Sequence, residues 1–135
     1  MNFNIYEELN PLLEKLSLDD KVKLDYYISD EFPKEIIGDI QTIKDIINYS
    51  LDYIKSNMVK GTVKLDLNCM FYDEAIGLYL SIMTRDTRIK KEDLDLTELS
   101  VLIDKLDGNL LVDNSDKGII LMIDFAMKSI TNENV

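Results

Sequence analysis

The run Ile36-Ile37-Gly38-Asp39-Ile40-Gln41-Thr42-Ile43-Lys44-Asp45-Ile46-Ile47-Asn48-Tyr49-Ser50-Leu51-Asp52-Tyr53-Ile54-Lys55 carries the clearest pattern in the chain. Ile36, Ile40, Ile43, Ile47, Leu51 and Ile54 recur at steps of three or four, with Ile46 beside them. An α-helix turns once in about 3.6 residues, so this spacing lays one apolar stripe along one helix face. Asp39 stands where its carboxylate can accept from the amides of the first turn. Asn57 to Gly61 ends the helix. A stripe of this length needs an apolar surface to lie on.

The following residues supply that surface. In Thr62 to Phe71, the residues Val63, Leu65, Leu67, Cys69 and Phe71 alternate with Lys64, Asp66 and Asn68. That period of two predicts a half-buried strand. Leu78, Leu80 and Ile82 alternate with Tyr79, Ser81 and Met83 after a turn at Tyr72 to Gly77, so the two strands predict a hairpin. Upstream, Val22, Leu24, Tyr26 and Ile28 predict another strand, and Asp30 to Gly38, with Pro33, a connection. Phe3 to Leu16 reads as a helix through Ile5, Leu9, Leu12, Leu13 and Leu16, with Pro11 suited to the first turn of a shorter one. Downstream, Arg85 to Asp95 is highly charged and irregular. Leu96, Leu99, Leu102, Ile103 and Leu106 form a further amphipathic helix, which Asp107-Gly108-Asn109 stops. Leu110 to Asp113 and Ile119 to Phe125 close the chain as strands around a turn at Asn114 to Gly118. The expected fold is an α/β two-layer sandwich: a mixed, mostly antiparallel sheet of about five strands with about three helices on one face. One domain is expected over residues 1–127, with a lead-in helix at 3–17, followed by a frayed polar tail at 128–135.

Composition narrows the function. Lys and Arg number 15 against 26 Asp and Glu, a net charge of -11. Nucleic-acid affinity draws on Lys and Arg neutralising phosphates, so neither nucleic acid nor an anionic membrane is an expected partner. There is a single cysteine, Cys69, and it falls on the core side of its strand, which suits a buried small hydrophobe in a reducing, cytoplasmic setting. There is no histidine. No side chain here can accept a phosphoryl group on an imidazole, act as a histidine base or supply a histidine metal ligand. The sequence has no P-loop, zinc spacing or nucleophile elbow.

The order of elements, with the residues at their joints, resembles the ATP-binding domain of sensor histidine kinases. That domain belongs to the superfamily of gyrase, the heat-shock chaperone of about ninety kilodaltons and MutL. The resemblance runs from Phe3 to Phe125. Phe3-Asn4-Ile5 looks like the segment that leads in from the dimerisation helices. Phe32-Pro33 followed by Gly38-Asp39-Ile40 resembles the stretch before the long helix, and Asp45 to Lys55 resembles the N box. Gly61-Thr62-Val63 matches the glycine and strand that follow. Asp86-Thr87-Arg88-Ile89-Lys90 sits where the family has Asp-x-Gly-x-Gly, the G1 box. Asp107-Gly108-Asn109-Leu110 looks like the Gly-Gly turn before the penultimate strand.

The resemblance implies an ATP and Mg²⁺ site. Asn48 matches the earlier N-box position and Lys55 the basic one. Asp52 stands at the magnesium asparagine, and a carboxylate can hold Mg²⁺. Asp86 matches the residue that reads the adenine amino group. Both G1 glycines are replaced, by Arg88 and Lys90, and the lid is deleted. Asp93-Leu94-Asp95-Leu96 falls where the family has Gly-x-Gly-Leu. Two carboxylates there would repel a triphosphate, each contact at ~4 Å costing roughly 4 kcal/mol at an effective dielectric near ~20. Arg85, Arg88, Lys90 and Lys91 form a basic cluster that could meet a phosphate or an acidic partner, or could be a solvated loop balanced by Glu92, Asp93 and Asp95.

The leading expectation is a degenerate histidine-kinase-type domain of a two-component system, with no cofactor, which acts by binding a kinase core or a response regulator. The alternative is a functional ATP-binding domain, with ATP and Mg²⁺ as cofactors, that phosphorylates a histidine on another domain or chain. A partner-switching protein like the anti-sigma factors of the superfamily, and an unrelated small α/β binding module, are further readings. A sheet ordered unlike the family's would favour the last.

Overall fold

The computed structural model of the protein describes residues 2–18, 21–58, 60–73, 75–85, 95–115 and 118–129. Its elements run β1 (Asn2–Phe3), α1 (Ile5–Leu16), β2 (Val22–Ile28), β3 (Ile36–Ile37), α2 (Ile40–Lys55), β4 (Gly61–Phe71), β5 (Ile76–Thr84), α3 (Thr97–Asp104), β6 (Asn109–Ser115) and β7 (Gly118–Ser129).

The sheet is organised around β7, the longest strand at 12 residues. One edge of β7 pairs antiparallel with β5 from Ile119 to Met127. Its other edge is shared: β6 pairs with Gly118 to Asp124, and β3 with Lys128 and Ser129. Beyond β5 the sheet continues through β4, antiparallel, to β2, parallel. The connection from β2 to its parallel neighbour runs through α2, because parallel neighbours need a long crossover.

Alternation decides which face the helices cover. Val22 and Leu24 on β2, Val63, Leu65 and Leu67 on β4, Leu78, Leu80 and Ile82 on β5, and Leu121, Ile123 and Phe125 on β7 are all buried. Between them Tyr27, Tyr79 and Met122 point to the opposite, open face. The buried face meets Ile5, Leu9 and Leu13 of α1, Ile40 to Ile54 of α2, and Leu99 and Ile103 of α3 in one continuous core. Burying each such aliphatic side chain contributes about 1.5–3 kcal/mol.

The fold is the expected α/β sandwich with three helices and a mixed, mostly antiparallel sheet, but the sheet has seven strands rather than about five. The two extra strands, β1 and β3, are two residues each and pair with one another, Asn2 opposite Ile37 and Phe3 opposite Ile36. Two residues carry no periodicity, which is why they were not expected. Ile36, read as the first residue of the long helical stripe, sits in β3, and the helix starts at Ile40. Helix α1 spans Ile5 to Leu16, within the helix expected over Phe3 to Leu16, and not the shorter one that Pro11 allowed. It runs through Pro11 as a full helix, capped by Asn4, whose side chain accepts from the amides of Tyr6 and Glu7 at 3.0 and 3.1 Å. At the far end, Lys128 and Ser129 belong to β7 rather than to a tail; residues 130–135 lie outside the described residues. Cys69 is only partly buried, and burial raises its thiol pKa, against the reactive form.

Candidate functional site

The residues matched to the N box lie on α2. Its amino end is built by Asp39, whose carboxylate accepts from the Thr42 amide at 3.1 Å and the Thr42 hydroxyl at 2.5 Å. Those two donors hold the Asp39 carboxyl below the usual carboxylate range. The helix then buries Ile43, Ile46, Ile47, Ser50, Leu51 and Ile54 against the sheet and its neighbours. With that stripe inward, Asn48 is half-buried and Asp52 exposed. Four residues apart, the two side chains lie on one side of the helix, one turn from each other.

Lys55, one turn closer to the carboxyl end, is engaged. Its Nζ donates to the carbonyl oxygen of Leu16 at 2.9 Å. That carbonyl belongs to the last residue of α1, where the helix leaves its acceptors unfilled and a cation is favourable. Lys55 thus ties the carboxyl ends of α1 and α2 together.

Asp95 stands at the amino end of α3. Its carboxylate accepts from the Thr97 amide at 3.2 Å, and hydrogen bonding from the Thr97 side chain, then from that amide, holds it below the usual range. Glu98 follows in the first turn. A helix amino end is normally a place for an anion; here the protein's own carboxylate already fills the Thr97 amide. Tyr49 on α2 senses the same charges, because burial and then Glu98 and Asp95 push its phenol pKa upward. The helices pack directly on each other. Asn48 and Asp52 therefore share α2 with a tyrosine that faces two acids.

Asp86, Arg88, Lys90 and Lys91 lie outside the described residues; Arg85, at the end of β5, is described and exposed. Among the described residues no group of three or more His, Cys, Asp or Glu could hold a metal ion. Two residues escaped the sequence reading. The sequence assigns Tyr49 no role, and only the α2–α3 contact reveals its acidic surroundings. Ser50 is fully buried, with its Oγ unpartnered among the described residues. Nothing in the sequence reports a missing partner.

The Gly-Gly-like turn after α3 also takes shape. Asp107 adopts φ 52°, the left-handed region, and the Gly108 amide donates to the Ile103 carbonyl at 3.1 Å. A side chain at Gly108 would place its Cβ 2.5 Å from the Asp124 carbonyl oxygen on β7. This glycine lets α3 turn directly onto the sheet.

No protein-family model matches the sequence, and no curated protein is similar to it by sequence. Solved structures are similar in fold. The histidine kinase AdeS of Acinetobacter baumannii superposes with a TM-score of 0.71 at 17% identity, over 94% of this chain and 66% of that one. The catalytic domain of the histidine kinase ThkA gives 0.64 at 17% identity, over 93% of each chain. ShkA, solved at full length with AMPPNP, gives 0.68 at 12% identity, over 96% of this chain but 31% of that one. The chain thus spans less than two thirds of the AdeS and ShkA chains, and nearly the whole of the isolated ThkA domain. At these identities the likeness is one of fold: the chain has the fold of histidine-kinase catalytic domains.

Proposed function

We propose that this chain is a degenerate histidine-kinase ATP-binding-type domain that works in two-component signalling by binding other proteins, with nucleotide binding lost or weak. The observation that carries the reading is Asp95. It places a carboxylate on the α3 amide where the resemblance calls for a glycine-rich phosphate turn, with Glu98 beside it. A triphosphate there meets like charge. The replaced G1 glycines, at Arg88 and Lys90, argue the same way from the sequence. The remaining candidates, Asn48, Asp52, Lys55 and Asp86, are then remnants of a site, with Lys55 reused to join two helix ends. No resident cofactor is part of this reading. The expected partner is a histidine kinase core or a response regulator; ThkA, of similar fold, has been solved in complex with the response regulator TrrA. No helix among the described residues is long and apolar enough to cross a membrane, and the lone thiol Cys69 fits a reducing cytoplasm.

A second reading is supported by Asp52. Exposed on the same side of α2 as Asn48, it could hold Mg²⁺, and the domain would then bind ATP to serve a histidine elsewhere. Thermal unfolding separates the readings. Ligand at about ten times its Kd stabilises a domain by ~1.4 kcal/mol, or roughly 4 °C at this size. We expect no shift with ATP or ADP and Mg²⁺ at millimolar concentrations. An upward shift that needs Mg²⁺ and disappears in Asp52→Ala would establish the second reading.

A further inference from the structure

The open face of the sheet carries a basic corner in a chain whose net charge is -11. Lys23 on β2 lies opposite Thr62 on β4, and Lys64, two residues on, lies opposite Met83 on β5. Arg85 follows directly after β5. Lys21 and Lys60 precede β2 and β4, and the Gly61 amide donating to the Lys21 carbonyl at 3.2 Å holds those two strand starts together. Gly61 makes this approach with φ 131°, a conformation closed to most side chains.

Two cavities meet at Thr62 in this corner. One, about 490 Å³, is lined by Thr62, Lys64, Met83, Thr84 and Arg85. The other, about 470 Å³, is lined by Lys21, Lys23, Lys60, Gly61 and Thr62. Five of the chain's 15 basic residues thus gather across three adjacent strands; on the same face Asp25 of β2 lies opposite Lys64, and Asp66 follows two residues beyond Lys64 on β4. Among the described residues, Lys23, Lys60, Lys64 and Arg85 have no carboxylate within ion-pair distance; the described pair, Lys44 with Glu8, is on the helical side. Like charges held this close repel one another, and an opposite charge from outside relieves that repulsion.

We propose that this corner is a docking surface for an acidic, extended segment of a partner protein. The proposal rests on the reading of the domain as a protein-binding module and names the chemistry of the partner. Three features favour a protein segment over other anions. The basic side chains are spread along three strands, not converging on one point, so a chain can meet several where a single phosphate meets one or two. Met83 in the first cavity offers an apolar contact for a side chain lying between acids. The remainder of the domain is strongly acidic, so a long duplex or a membrane, whose charge extends beyond the corner, is repelled outside it, while a short segment lies within about one Debye length of it.

The probe is a labelled glutamate-rich peptide with interspersed leucines, titrated into the full chain and followed by fluorescence anisotropy. Binding should strengthen as salt is lowered. The variant K23E/K64E/R85E should weaken it by at least about tenfold. K15E/K34E/K105E, which changes net charge equally away from the corner, should change it by less than about threefold. All three reversals in each variant are at exposed positions. A far-ultraviolet circular dichroism spectrum checks that each variant is folded, and K23Q/K64Q/R85Q serves as the test should the reversals unfold the chain. No peptide binding, or binding equally weakened by both reversals, overturns the proposal. Binding of tripolyphosphate or a single-stranded oligonucleotide in preference to the peptide overturns the assignment to a protein segment. Nucleotide titration of the same samples reads the functional proposal separately: Mg²⁺–ATP binding would sink that reading without touching the corner.

Discussion

Asp39 shows how much one side chain can specify. Its position before the apolar stripe made it a cap in the sequence, and the structure gives it two donors from Thr42. Asp39→Ala should cost about 1 kcal/mol in urea unfolding. Because those donors hold the folded carboxyl below its unfolded value, its contribution is fully present above the ordinary carboxylate range. It is lost as pH falls through the depressed folded value. Asp39→Asn, which still accepts from the Thr42 amide, should keep most of the neutral-pH stability and flatten that acid dependence. Lys55 is the opposite case. The sequence placed it by resemblance in a nucleotide site, and its contact with Leu16 was not legible, because 39 residues separate the two. Lys55→Met should lower stability by about 1 kcal/mol, as expected when a partly buried carbonyl loses a charged donor. Equal stability of the two proteins would mean that the contact has no structural weight. Ser50 extends the point: its buried Oγ has no partner among the described residues, so Ser50→Ala should be neutral or stabilising by up to about 1 kcal/mol.

Elements were legible in proportion to their periodicity. The stripe of α2 and the alternations of β2, β4, β5 and β7 each repeat often enough to fix type and inward face. The β4–β5 hairpin followed from two such alternations around a turn, and the structure pairs them from Lys64 to Phe71. Ile36 continues the helical spacing of α2, but pairing with Phe3 across β1 and β3 overrides local preference. Pro11 allowed a shorter helix, but the apolar spacing of Ile5, Leu9 and Leu13 prevails and α1 runs through it. Proline inside a helix removes one hydrogen bond, and the burial of Ile5, Leu9 and Leu13 outweighs that loss. The turn after α3 offers the test at this scale. Gly108 was legible as a stop signal, but the reason for glycine lies on β7, where the Asp124 carbonyl leaves no room for a Cβ. Gly108→Ala should therefore destabilise the protein by about 1–3 kcal/mol, measured by chemical denaturation, whereas a helix-stop role alone would be satisfied by the left-handed Asp107.

At the scale of the whole molecule, the sheet gathers three strands on one side of β7 and two partners along its other edge, and stacks all three helices on a single face. That separation lets core and site change independently. The apolar alternations that build the core are intact, while the positions matched to phosphate-binding glycines carry Arg88, Lys90 and Asp95. The candidate site was legible only in part for the same reason. Its helix could be placed from periodicity, but the filled amide at the amino end of α3 and the acids facing Tyr49 arise from packing between α2 and α3. The basic corner on the open face was not legible, because strand pairing brings Lys23, Lys60, Lys64 and Arg85 together from distant parts of the chain.

The proposed function rests on lost or weak nucleotide binding. The most direct measurement is isothermal titration calorimetry with ATP and with ADP, each with and without Mg²⁺, at concentrations that register millimolar affinity. A domain that works without nucleotide should give no binding heat under any of the four conditions. Mg²⁺-dependent binding that is abolished by Asp86→Ala would contradict the proposal and show that a site with these residues still works.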